Sequence, residues 1–165
     1  MERIELNGVW YIREKKSIKI DYSITNLDVI TYRNGDSIPE VKDSKEWSEL
    51  TTGAWCYYDN DQSKGILYNW YAVNDNRGLA PLGWKIPDNK EIDKLNLKTN
   101  FQFNGYRSSN GNYYYIGANG SWWSSSEANT GSAWYRNLNY SGGNVLRNYY
   151  SKRDGFSVRC LRDNI

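Results

Sequence analysis

Histidine is absent from this 165-residue chain. Its absence removes the commonest general base, proton shuttle and metal ligand. Cysteine occurs only at Cys56 and Cys160, too few for an all-cysteine zinc site. Two readings of the pair stay open: one bridge joining an early segment to the last strand, or two buried free thiols packed as small hydrophobes. The only prolines are Pro39, Pro81 and Pro87. No apolar run approaches the ~20 residues a spanning helix needs, so no membrane span is expected. Nor does one sign of charge dominate: Lys+Arg number 21 against 19 Asp+Glu, net +2. That argues against a nucleic-acid partner. The C-terminal third is mildly basic, with 7 Lys+Arg and 3 Asp+Glu over residues 101–165.

What the chain does have is rings. Aromatics make up 16% of the residues, with 8 Trp and 15 Tyr, each bringing an apolar body and a polar handle. The length suits one domain. Residues 1–27 read as an N-terminal strand segment and 28–165 as the main domain, together one compact unit. In the first part, Ile18, Ile20, Tyr22 and Ile24 alternate with Ser17, Lys19, Asp21 and Ser23, a period of two that indicates a strand with one wet face. The opening "MERIELNGVWYIREKK" has no apolar h-region. The chain is therefore expected to be cytoplasmic or phage-borne, or to have lost an export signal.

Asn34-Gly35 is a strong turn signal. "DSKEWSEL" (43–50) reads as a short helix capped by Asp43 or Ser44, and "KIPDNKEIDKLNL" (85–97) as a second one. In the latter, Asp88 and Glu91 stand at capping-box spacing, with Ile92 and Leu95 turned inward. Residues 66–73 fit a buried strand or a short helix equally well. After residue 100, "GNYYYIG", "SWWSSSE", "SAWYRNLNY", "NVLRNYY" and "GFSVRCLRD" are five strand candidates between glycines. The fold class that follows is α+β: two short helices with small antiparallel sheets.

No catalytic motif stands out, and no enzyme activity or cofactor is expected. "DNDQSKG" (59–65) imitates the start of a calcium loop through Asp59, Asp61 and Ser63. However, Gly65 comes one place late and Trp70 stands where the closing Glu belongs, so the stretch reads as a solvated acidic loop without metal. Glu127 has no second carboxylate nearby to form an acid–base pair. Binding fits the residues better. In "AWYRNLNY", alternation puts Trp134, Arg136 and Leu138 on one face and Tyr135, Asn137 and Asn139 on the other. The first set is expected to be structural and the second exposed. Tyr with Asn and Ser is the vocabulary of adaptable binding loops, and it recurs at Asn148, Tyr149 and Tyr150.

"TYRNGDSIPEV", "WSELTTGAWCYYDND", "GILYNWYAVNDNRGLAPLGWKIP", "WWSSSE", "AWYRNL" and "GFSVRCLRD" occur in order. Over residues 28–163 the chain resembles the Fibrobacter succinogenes major paralogous domain family. The resemblance implies a C-type lectin-like fold, shared with formylglycine-generating-enzyme-like domains and with the variable proteins of diversity-generating retroelements. It further implies a fixed frame of Trp122, Trp123, Ser124, Ser125, Glu127, Ala133, Trp134, Arg136, Leu138, Val145, Arg147, Lys152 and residues 155–160. The positions displayed to a ligand would be Tyr135, Asn137, Asn139, Tyr140, Asn144, Leu146, Asn148, Tyr149 and Tyr150. A retroelement that mutates template adenines would favour Asn codons there. Lectin-type calcium motifs around proline are missing, and Cys56 and Cys160 lie in framework segments. The resemblance thus implies neither calcium-dependent sugar binding nor formylglycine chemistry.

The expected function is a non-enzymatic module that binds a protein or glycan on a cell surface. Its location would be a cell surface, the secreted state or a phage virion. The alternatives are a structural surface or adhesin subunit and a carbohydrate-associated domain of a gut-type bacterium.

Overall fold

The computed structural model describes residues 2–6, 9–13, 22–100, 102–141 and 143–163. The strand expected across Ile18 and Ile20 lies mostly outside these residues. Within them Tyr22 is buried and Ile24 half-buried.

In chain order the elements are β1 (Glu2–Leu6), β2 (Val9–Arg13), β3 (Tyr22–Ser23), α1 (Ser44–Ser48), β4 (Trp55–Tyr57), β5 (Ile66–Tyr68), α2 (Trp70–Val73) and β6 (Trp84–Lys85). There follow β7 (Asn104–Arg107), β8 (Tyr113–Ile116), β9 (Asn119–Asn129), β10 (Ser132–Asn139), β11 (Val145–Ser151) and β12 (Leu161–Arg162). Two short helices and several small sheets make a mostly β, α+β arrangement. One sheet runs β1-β2-β3-β12-β6, a second β11-β10-β9-β7-β8, and β4 pairs with β5.

The helices differ from expectation in one case. α1 forms where expected, with Asp43 Oδ1 accepting the Glu46 amide at 2.8 Å. The second expected helix, over 85–97, is a single 3-10 turn at Ile92–Lys94. Its capping box is nevertheless made: Asp88 Oδ1 accepts the Glu91 amide at 2.7 Å, and Glu91 Oε2 accepts the Asp88 amide at 3.1 Å. The cap fixes a start, but Ile92, Leu95 and Leu97 all drop into one core within six residues, which a continuing helix would spread over more than one face. The undecided stretch 66–73 is strand and then helix, divided by Asn69. That fully buried amide caps α2 through the Ala72 amide, accepts from the Ala54 amide and donates to the Thr52 carbonyl.

Segment 155–157 binds the layers together. Phe156 exchanges two backbone hydrogen bonds with Tyr68, Gly155 exchanges two with Arg107, and Ser157 accepts from the Trp123 amide. "GFSVRCLRD" is therefore less a strand than a central tie, with strand geometry only at β12.

Three buried arginines replace aliphatic packing at the seams. Arg107 donates to the carbonyls of Val41, Lys42 and Gly111. Arg159 donates to Thr99 O, Asn100 O and Asn26 Oδ1. Arg136 reaches Asn89 and Asp93. A planar five-donor fork satisfies several carbonyls that no hydrophobe could.

Candidate functional site

The second sheet carries the expected site. β10 lies between β9 and β11, so both its neighbours are fixed by register. Tyr135 stands opposite Trp123 on β9 and Asn148 on β11, and Arg136 opposite Trp122 and Arg147. Trp122 and Trp123 are fully buried, each in a different core cluster. The sheet is thus covered on both faces in its middle, and β11, at one edge, is open.

This geometry differs from expectation at Tyr135, Trp134, Arg147 and Asn137. Tyr135 is not displayed: it is 9% exposed and packs among Trp123, Phe156 and Tyr150. Its burial drives the phenol pKa well above the ordinary value. Conversely, Trp134 is only half-buried and Arg147 is exposed, its guanidinium 4.5 Å above the Trp134 ring. Alternation identified which residues share a face, but an interior strand with two cores has no wet face to assign. Asn137 is half-buried and committed, donating to Ser121 Oγ at 3.0 Å.

The other expected display positions reach solvent in two groups. Asn139, Tyr140 and Asn144 sit around the β10–β11 turn. There Asn139 Oδ1 accepts both the amide and the hydroxyl of Ser141, and Tyr140 rests edge-on against Phe103. Leu146, Asn148, Tyr149 and Tyr150 are exposed along β11, Tyr149 at 49% and Tyr150 at 45%. Register divides the strand: Leu146, Asn148 and Tyr150 share the Tyr135 face, while Arg147 and Tyr149 share the Trp134 face.

One exposed group escaped the sequence reading. Tyr114, Tyr115 and Ile116 on β8 are exposed large hydrophobics. Tyr114 and Tyr115 both contact Tyr106, Tyr106 contacts Phe156, Phe156 contacts Tyr135, and Tyr135 contacts Tyr150, with centroids 4.7–6.0 Å apart along the path. Rings therefore run continuously from one edge strand to the other. The signal was available in three consecutive tyrosines between Gly111 and Gly117.

Asp154, 2% exposed, lies within electrostatic reach of Tyr106 and Tyr135 in this run. Its Oδ1 accepts the Ser109 amide at 2.6 Å, while Oδ2 accepts no hydrogen bond. Burial pushes this carboxyl up to about 7 against the opposing pull of Ser109. Glu127 pairs instead with Lys152, which also donates to the Thr130 carbonyl and lies over Trp70. Lys152 thereby closes the β9–β10 turn onto the start of the tie.

Cys56 and Cys160 are both free and buried, in different core clusters, so the bridge reading is set aside for the free-thiol one. Burial pushes their thiols up to about 11 and about 12 respectively, unsuited to nucleophilic work. In the acidic loop, Asp61 caps a 3-10 turn through the Ser63 amide and hydroxyl. Among the described residues no group of three or more His, Cys, Asp or Glu is placed to hold a metal, and no helix is long and apolar enough to cross a membrane. A cleft of about 690 Å³ opens elsewhere, lined in part by Asn26, Lys64, Trp84 and Asn104. None of the expected display residues lines it.

Fold and surface together define a mostly β domain whose ring-rich sheet is covered in the middle and open at its edges. Residues 24–100 match the family model described as the Fibrobacter succinogenes major domain. This supports the resemblance over the N-terminal part of the span expected; "WWSSSE", "AWYRNL" and "GFSVRCLRD" fall outside the matched stretch. No curated protein and no solved structure matches the chain.

Proposed function

We propose that this chain is a non-enzymatic binding module that presents a Tyr/Asn-rich surface on a C-type lectin-like scaffold to a protein or glycan on a cell surface. The observation that carries the reading is the contrast between β11 and its support. Leu146, Asn148, Tyr149 and Tyr150 are exposed on a strand paired to β10, which is backed in turn by β9 and its fully buried Trp122 and Trp123. Rigid aromatic contact area beside adaptable amides suits recognition at low entropic cost. Tyr114 and Tyr115 extend the surface to the opposite edge. Such an arrangement is suited to diversification by a retroelement, with the module sited on a bacterial surface or a phage virion.

The experiment is a screen of the purified chain against arrays of glycans and of bacterial surface proteins. Hits are then re-measured with the pairs Tyr149→Ser/Tyr150→Ser and Tyr114→Ser/Tyr115→Ser, with and without chelator. A folded variant that loses the hit supports the reading, and a hit indifferent to both pairs removes it. Sequencing the flanking DNA for a reverse transcriptase and a near-identical repeat of the β9–β11 codons tests the retroelement separately.

A further inference from the structure

The two edges of the second sheet are built differently. β8 has four residues, and Tyr115 within it takes a left-handed φ of 61°, which breaks the flat line a docking strand requires. β11 has seven residues, no proline and no residue of positive φ. Edge strands are normally protected by a proline, a bulge or a charge projecting over the edge. The single charge on β11, Arg147, is folded down onto Trp134 instead.

Its outward hydrogen-bonding groups can be assigned. The Tyr149 amide donates to the neighbouring Asn148 side chain at 2.9 Å, so it points away from β10. Alternation in an antiparallel ladder then turns the backbone of Arg147 outward as well.

From this we propose that β11 pairs with β11 of a second copy of this chain, antiparallel about a two-fold axis at Asn148. The strand is self-complementary in that register. Arg147 lies opposite the partner's Tyr149, a cation against a ring, and the two exchange the outward backbone hydrogen bonds. Leu146 lies opposite the partner's Tyr150, an apolar residue against a ring. Asn148 meets its own copy, amide to amide, after releasing the Tyr149 amide it occupies in the single chain. No like charges face each other. Shifting the axis to Arg147 would oppose two guanidinium groups, which is destabilising. The product is a continuous sheet with two tyrosine faces, and an isologous contact of this kind closes on itself. This inference does not depend on what the tyrosine face binds.

The test is register-specific cross-linking combined with solution mass. In this pairing the side chains at Asn148 sit about 4.5–5.5 Å apart between Cβ atoms, within disulfide reach after small adjustment. Light scattering on the unmodified chain should give a dimer. Asn148→Cys should cross-link on mild oxidation. Leu146→Cys and Tyr150→Cys should not cross-link singly but should do so when mixed. The native thiols are buried and stay out of the reaction. Tyr149→Pro, which removes an outward N–H together with the ring over Trp134 but no hydrogen bond to β10, should be folded by circular dichroism and monomeric by light scattering. A wild-type chain that remains monomeric overturns the proposal, including one whose edge is filled by an unrelated extended peptide. So does a dimer in which Asn148→Cys fails to cross-link.

Discussion

Tyr135 lies against Phe156 with ring centroids 4.7 Å apart, on the strand next to the open edge. Its neighbour across the ladder, Asn148, is exposed. The boundary between support and surface therefore runs between β10 and β11. Removing the Tyr135 ring should cost about 3–5 kcal/mol, the range for large aromatic truncation in a core. Removing the ring of Tyr149 or Tyr150 should cost about 1 kcal/mol or less. Urea unfolding of Tyr135→Ala, Tyr149→Ala and Tyr150→Ala checks the contrast, and equal losses would contradict it.

The buried arginines make a second prediction. Arg159 donates to two backbone carbonyls and a side-chain amide oxygen, and burial lowers its pKa to about 10. Lysine keeps the charge but lacks the fork. Arg159→Lys should therefore lose about 2–4 kcal/mol, in the range of a broken buried network. Denaturant unfolding measures it, and a loss below about 0.5 kcal/mol, the usual size of a neutral surface change, would show that the carbonyls find water instead.

Gly105 sits at the one backbone bridge between β7 and β9, paired with Gly120, at φ 59°. A Cβ there would stand 2.4 Å from the Tyr114 carbonyl oxygen and 2.8 Å from the Ile116 amide. Neither backbone atom can yield without opening the β7–β8 pairing. Gly105→Ala should abolish the cooperative thermal transition or lower it sharply, whereas Gly35→Ala, with open space around it, pays only for its left-handed backbone.

Asp154 predicts a pH dependence. Its folded pKa, about 7, is raised by burial above the unfolded value, so the folded state holds the proton more tightly. The resulting stabilisation is complete below about pH 4 and is lost as pH rises through about 7. The ceiling on that loss is about 4 kcal/mol. Asp154→Asn cannot ionise, so it should match the wild type near pH 4 and exceed it in stability at pH 8. A difference that stays constant between the two pH values would mean that the carboxyl is already charged when buried.

Local signals survived into the structure where they act locally. Asn34-Gly35 makes its turn, with Asn34 Oδ1 accepting the Asp36 amide; Asp43 caps α1; and four of the five strand candidates after residue 100 form strands. What alternation could not supply was the number of covered faces, because burial of a strand on one or both sides depends on partners distant in sequence. Tyr135 and Trp134 differ from expectation for that reason; Arg147, which only the family resemblance places in the frame, is exposed. The tie at 155–157 was equally hidden: its hydrogen bonds go to Tyr68, Arg107 and Ser121, and no spacing within "GFSVRC" indicates them. Tyr114 and Tyr115 were legible as composition but not as surface.

A display strand on a separate frame requires that the edge tyrosines can be removed without unfolding the β9–β10 support. The most direct measurement is made on one variant, Leu146→Ser/Asn148→Ser/Tyr149→Ser/Tyr150→Ser, followed by thermal unfolding and by binding to whatever the array screen identifies. We expect a single cooperative transition within about 10 °C of the wild type, given ~2–4 °C per kcal/mol at this size, together with loss of binding. A variant that unfolds at ambient temperature, or one that is stable and binds undiminished, would contradict the account.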